Sequence, residues 1–350
     1  MLDEKLFRLG EKASSVNEVR RPRTNDIFER LLVISPKKIT LKNLLSTTPL
    51  AAFNPAMRVE GDKVRVYARV IVEYYTYSSS IAEFTLRLDD VYRGEVEDIE
   101  AEVTLIPESE VDFWGTEDPR VTVVKGRELI TYTGRTRWFF SSEINKTVPV
   151  VAERQKGSWV RKFYFKLPLP LDQIVYMNKD AFPQILDEDL LYVFHRPILK
   201  NSPPALWYGH LPLEVLDREE LGGEVILDNE LIMFPASFEK NVGWGAPVFK
   251  VDDEYIAIAH ARGQDEVYRL YLLSLECEEG RLKITGVSET YVMEPRETYE
   301  KYGDRPHVTF ICGAEVIKDK VLISYGAADK FLAFAEAELS ELMSSIKKLG

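Results

Sequence analysis

The sequence predicts an all-β fold of the propeller kind. Short β-rich runs recur along most of the chain, turns rich in Gly, Pro, Asn and Asp separate them, and no helices of βαβ length intervene. The runs are Lys63 to Val72, Ile81 to Leu88, Ile99 to Leu105, Arg120 to Val124, Leu129 to Thr133, Trp159 to Phe165 and Leu190 to Phe194. Further runs are Glu224 to Leu227, Tyr255 to Ala259, Val267 to Leu275, Leu282 to Val287, Val321 to Tyr325 and Phe331 to Ala335. Asp62, Gly126, Asp252-Asp253 and Gly280 punctuate them. Such texture suits a sandwich, a barrel or a propeller, and 350 residues fit a propeller best. No blade signature repeats, so periodicity leaves the blade count open.

Two segments read as helical. Ala335 to Leu349 places Leu339, Leu342, Ile346 and Leu349 on one side and reads as a closing helix, and Asn25 to Leu32 reads as a helix capped by Asn25 or Asp26. Asn145 to Gly157 and Asp217 to Gly223 read as surface loops. The expected organisation is one domain, 44–350, after a partly helical N-terminal extension, 1–43.

A 45% hydrophobic fraction supports a packed core, and a net charge of -12 opposes binding to nucleic acid or to anionic membrane surfaces. The two cysteines, Cys277 and Cys312, lack the spacing of a zinc site, so no metal or cofactor is expected. The charged start, Met1-Leu-Asp-Glu-Lys-Leu-Phe-Arg8, lacks the apolar run of a signal peptide, and no stretch has the length of an apolar membrane span. A cytoplasmic location is expected.

Several polar segments hold more mutually useful groups than ordinary turns. They are Gly115-Thr-Glu-Asp-Pro-Arg120, Asn178-Lys-Asp-Ala-Phe-Pro183, His195-Arg-Pro197, Lys240 with Trp244, His260, and Tyr325-Gly-Ala-Ala-Asp329. Taken in order from about Phe53 to Ala337, with Asn54-Pro55 and Arg69 before them, they resemble glycoside hydrolase family 130, the mannoside phosphorylases and related mannosidases. Tyr299-Glu300, Gly303, Val308-Thr-Phe310 and Gly313 parallel the family's last blade.

The resemblance implies a five-bladed propeller with an axial active site. It makes Asp118 the general acid, passing its proton through the 3-hydroxyl of the mannosyl ring, and Lys179, Arg196, Lys240 and His260 a phosphate cluster. Asp329 would grip mannosyl hydroxyls. Asn54, Arg69, Glu117, Arg120, Asp180 and Trp244 would complete the substrate pocket, with Glu117 and Arg120 bracing the acid. The partners implied are a mannoside or manno-oligosaccharide and inorganic phosphate as co-substrate, with a homo-oligomer as an option to which the extension could contribute.

That residue set fits the chemistry. An inverting glycosidase needs a second carboxylate to activate water, whereas phosphate is already an anionic nucleophile and needs cations to gather and aim it. A β-mannosidase using water and a sugar-binding propeller without catalysis are the alternatives. The departures from the family pattern bear on acceptor preference: Gly243-Trp-Gly-Ala-Pro247, Ala259-His260-Ala261, Ser324-Tyr325-Gly326, and the stretches Arg135 to Tyr176 and Ser202 to Gly223.

Each residue also has a plainer reading. An Asp before Pro is commonly a turn former, lysines are commonly solvated, and a histidine in an apolar run is commonly a core histidine. Arg196 could pair with a nearby carboxylate, and Asp329 could cap a turn. Trp114, Trp207 and Trp244 divide between sugar stacking and packing between blades. His210 and His307 receive no role.

Overall fold

The computed structural model describes residues 7–138, 140–186 and 190–350, so the first six residues of the extension lie outside it. Five antiparallel sheets follow one another along the chain as the blades of a propeller. The first runs outward from the axis as Ala51–Glu60, Lys63–Ile71, Ser79–Arg87 and Ile99–Leu105. The second comprises Thr116–Val124, Arg127–Arg135, Thr147–Gln155 and Ser158–Lys166, and the third Val175–Ile185, Leu191–Leu199, Leu206–Leu211 and Leu227–Met233. Glu239–Trp244, Glu254–Gly263, Tyr268–Glu278 and Arg281–Ser288 form the fourth. The fifth takes Thr309–Ile317, Lys320–Ala327 and Phe331–Glu338 from the end of the chain and Glu29–Ile34 from its beginning.

A separate apolar cluster fills each seam between blades. Tyr67 and Ile81 meet Tyr132 and Val150 between the first two blades, Phe163 meets Leu191 and Val193 at the next seam, and Phe194 meets Trp244 and Tyr271 at the third. Ile256 and Leu270 meet Ile323 and Ala333, and Phe334 meets Val64 and Val66, to complete the ring. Sheets buried on both faces explain why most of the strands read as near-continuous apolar runs.

The residues before the first blade are stitched into the ring. Short strands at Arg8–Leu9 and Ile39–Leu41 pair parallel to the third and first blades, and Glu29–Ile34 pairs antiparallel to Phe331–Glu338. Residues 25–28 are therefore irregular and Glu29–Ile34 form a strand in place of the expected helix: the sheet edge offered by Phe331–Glu338 outweighs local propensity, with Phe28, Leu32 and Ile34 buried. Arg20 is pinned to Glu239 by two hydrogen bonds of 2.9 and 2.7 Å inside the fourth blade.

The closing helix is shorter than Ala335 to Leu349. Ala335 to Glu338 continue the last strand, Leu339–Ser344 are helical, and Ile346–Lys348 add an edge to the fourth blade. Asn145 to Gly157, expected as a loop, contains the central strand Thr147–Gln155. Its Pro149 pairs only with Thr133, near the start of the strand, and pairing to the next strand begins at Val150.

Candidate active site

The innermost strand of every blade carries a bulge. In three blades the irregularity falls on a pair led by Asn or Asp: Asn54-Pro55, Asp118-Pro119 and Asp180-Ala181. Asn54, Asp118 and Asp180 adopt φ of 48°, 49° and 50°, the left-handed region that Asn and Asp tolerate better than most residues. A bulge re-aims a side chain that the strand's alternation would send into a seam. Here it brings one polar side chain from each of three blades to the same end of the axis.

Asp118 is the centre of the first group. Asn54 Nδ2 and Arg69 Nη1 both donate to its Oδ1, at 2.7 and 3.0 Å, while Oδ2 accepts no hydrogen bond among the described residues. The other branch of Arg69 reaches Glu117 Oε1 at 2.9 Å, Lys179 Nζ reaches Glu117 Oε2 at 2.9 Å, and Arg135 Nε lies 3.1 Å from Glu117 Oε1. Burial alone would favour the neutral form of Glu117, but Arg69, Lys179 and Arg135 outweigh it and hold the carboxyl well below the usual range. Glu117 is therefore a fixed anion that braces three cations beside Asp118.

Asp180 organises a second group. Arg196 Nε donates to its Oδ2 at 2.5 Å, His260 Nε2 lies 3.3 Å from the same oxygen, and Arg120 Nη2 reaches Oδ1 at 3.4 Å. Burial opposes ionisation of Asp180, yet Arg196, His260 and Arg120 together pull its carboxyl far down. Burial lowers the affinity of His260 for a proton, against the pull of Asp180, and the two arginines add to that lowering. Arg120 joins the groups by donating to the main-chain oxygens of Asp118 at 2.8 Å and Gly245 at 2.9 Å.

Asp329 lies half-buried on the turn after Lys320–Ala327. Burial pushes its carboxyl up to about 6; Arg69 and Arg305 oppose the rise, and Asp118 and Asp304 add to it. Its electrostatic coupling to Arg69 and Asp118 puts it beside the first group.

Of the four groups expected to hold phosphate, Lys179 and Arg196 face each other across the third blade's first hairpin. His260 pairs with Gly243 in the fourth blade. Lys240 lies apart from these contacts: it is exposed and its ammonium meets Glu266, which also pairs with Arg262. Trp244 does not offer a face to a ligand. It is fully buried, gives its indole N–H to the Trp207 carbonyl at 2.9 Å and stands edge-on to Phe194, which makes it a packing residue between the third and fourth blades. Trp207 is likewise buried, and Trp114 is partly exposed beside the site.

Sequence reasoning missed Arg135 and Lys146. Burial lowers the affinity of the Lys146 ammonium for its proton, and the nearby Arg135 and Lys179 lower it further, so a positive field surrounds this corner. A signal was present: Arg69, Arg135 and Arg196 all stand near the end of the second strand of their blades.

A propeller that gathers a buried aspartate and this group of cations at one end of its axis has the equipment of an enzyme acting on glycosidic bonds. The chain belongs to glycoside hydrolase family 130, whose model, described as β-1,4-mannooligosaccharide phosphorylase, matches residues 18–348. A 1,2-β-oligomannan phosphorylase of Thermoanaerobacter sp. strain X514 is 28% identical over 244 residues, 67% of this chain and 72% of that one. A β-1,2-mannobiose phosphorylase of the same organism is 26% identical over 307 residues, 82% of this chain and 90% of that one. The solved structure of the Listeria innocua β-1,2-mannobiose phosphorylase with β-1,2-mannobiose shares the fold, with TM-score 0.62 over 85% of this chain and 92% of that chain at 17% identity.

Proposed function

We propose that this chain is an inverting phosphorylase that cleaves β-mannosidic bonds with inorganic phosphate and releases α-mannose 1-phosphate. The observation that carries the reading is the charge of the site. In a chain of net charge -12, the arginines and lysines around Glu117, Asp118 and Asp180 outnumber the carboxylates they surround. A hydrolase gains little from such a surplus, whereas a dianionic nucleophile requires it.

In this reading Asp118 is the acid. Donors from Asn54 and Arg69 fix one of its oxygens and leave the other for the proton. A phosphate oxygen held on the side of Lys179, Arg196 and His260 attacks the anomeric carbon as the glycosidic C–O bond breaks. The leaving oxygen takes up the proton that Asp118 supplies, directly or through the 3-hydroxyl of the mannosyl ring. Asp329 receives sugar hydroxyls, and no cofactor is required beyond phosphate as co-substrate. The relatives named as mannoside phosphorylases support the reading, and they leave the linkage to experiment.

The test is incubation with β-1,2- and β-1,4-mannobiose with and without phosphate. Mannose 1-phosphate that appears only with phosphate is the expected result; free mannose released at the same rate without phosphate would make the protein a hydrolase.

A further inference from the structure

The site faces one end of the propeller, and the exposed aromatic residues gather there. The catalytic groups stand near the starts of inner strands and the ends of second strands, so the loops that precede the former and follow the latter surround the opening. Among the described residues, the aromatic side chains more than a third exposed are Tyr74, Tyr75, Tyr92, Phe113, Trp138, Phe140 and Tyr302. All but Tyr92 lie on those loops. Scattered exposed aromatics are ordinary; a grouping at one end, around a site, is not.

The grouping is also one-sided. Tyr74 and Tyr75 follow Arg69 in the first blade, Phe113 precedes Glu117 and Trp138 and Phe140 follow Arg135 in the second, and Tyr302 precedes the inner strand of the fifth. The third and fourth blades, which supply Lys179, Arg196 and His260, supply none. Main-chain hydrogen bonds from Trp114 N to Arg135 O, 3.0 Å, and from Arg135 N to Gly115 O, 2.9 Å, tie the second blade's two aromatic loops to the site's own residues. Within those loops Phe113 stands edge-on to Trp114 and Trp138 edge-on to Phe140, with centroids 5.6 and 5.1 Å apart. Each pair is braced by its own contact while part of its ring surface stays open to solvent.

We infer that this aromatic crescent is a binding platform for the leaving-group end of a manno-oligosaccharide, and that the preferred substrates are longer than a disaccharide. The inference rests on the phosphorylase reading. In-line displacement requires the leaving group to depart on the side opposite the nucleophile. With phosphate gathered by the third and fourth blades, the departing sugar passes over the first, second and fifth. The CH-bearing faces of successive pyranoses match exposed aromatic rings, and the polar edges of Trp and Tyr suit a wet, hydroxyl-rich ligand.

The test is calorimetric titration of the full chain, in phosphate-free buffer, with β-1,2- and β-1,4-linked mannobiose and mannotetraose. The tetraose of the preferred linkage is expected to bind at least about tenfold more tightly than the biose. The double variants Tyr75→Ala/Trp138→Ala and Phe113→Ala/Phe140→Ala should each reduce that advantage by at least about fivefold. Tyr92→Ala, at the other end of the propeller, should leave it intact. Equal affinities for the two lengths, an advantage that survives both double variants, or no binding of any mannoside would overturn the inference. A wild-type dimer seen in sedimentation and abolished by the substitutions, with no dependence on sugar length, would reassign the crescent to contact between two copies of the chain. Because these measurements exclude phosphate, they stand apart from the phosphorylase reading, which fails on the absence of phosphate-dependent mannose 1-phosphate.

Discussion

The Asn54 amide and Asp118 are joined by a 2.7 Å hydrogen bond between two blades, each residue sitting in a left-handed bulge of an inner strand. The Asp118 carboxyl is thus positioned from outside its own sheet. Asp118→Asn should lower kcat by roughly 10²- to 10⁴-fold while mannoside binding persists, as expected for loss of a general acid. Asn54→Ala, which keeps the acid but removes one of its two side-chain donors, should cost about tenfold. Steady-state kinetics with calorimetric binding of mannobiose checks both, and an Asp118→Asn protein of full activity would remove the acid assignment.

Two glycines guard this arrangement. A Cβ on Gly326 would stand 2.6 Å from the Asn54 nitrogen and closer still to its side-chain oxygen, and one on Gly243 would stand 2.6 Å from His260 Cε1 and closer to Asp180. Gly326→Ala should therefore reduce kcat at least tenfold through Asn54, whereas Gly243→Ala should act through Asp180 and His260 and raise the phosphate KM. Kinetics beside thermal melts separates these local effects from unfolding.

Arg196 bears on phosphate and on folding together. Arg196→Ala should raise the phosphate KM about tenfold or more, the worth of one charge-assisted contact. It also removes the closest counter-ion of buried Asp180, so the melting temperature should fall, and Arg196→Lys should recover part of the stability but less of the phosphate affinity. The mannoside KM is the internal control.

Lys240 tests whether an exposed side chain swings inward. Its partner Glu266 also binds Arg262, and releasing an exposed pair costs less than about 1 kcal/mol. If phosphate draws Lys240 in, Lys240→Ala should raise the phosphate KM about tenfold and Glu266→Gln should lower it. An unchanged phosphate dependence in both variants would leave Lys240 as a surface residue.

Asp329 gives a pH signature. Its folded-state value of about 6 lies above that of a free carboxyl, so the folded protein holds this proton more tightly than the unfolded chain. The ionised group is therefore a destabilising feature above pH 6, relieved as pH falls from 6 toward 4. Asp329→Asn should be more stable than wild type at pH 7.5 by about 1 to 3 kcal/mol, and the gap should close by pH 4. Urea titrations at the two pH values measure it.

The all-β texture was readable from the runs of β-branched and aromatic residues, and most outer and middle strands lie within a few residues of their expected places; Glu29–Ile34, Thr147–Gln155, Leu206–Leu211 and Leu227–Met233 do not. The inner strands were the hardest to read. Ala51–Glu60, Val175–Ile185 and Glu239–Trp244 carry Asn54-Pro55, Asp180 and Gly243, which locally signal turns. The residues that bend the backbone toward the axis for chemistry are the same ones that disguise the strand. Asp118, Arg69 and the Asp180 group were legible as motif members, but that Lys179 braces Glu117 and that Trp244 is core could not be read without the blade order.

The strand Glu29–Ile34 has a further consequence. It is made before the first blade but finds its ladder only on Phe331–Glu338, which emerge after the four preceding blades. Until then the ring stays open and two bare edges are available to strangers. Cellular yield should therefore respond more sharply to shortening the chain before residue 338 than to any single change at the catalytic pocket, because truncation leaves every nascent molecule unable to shut.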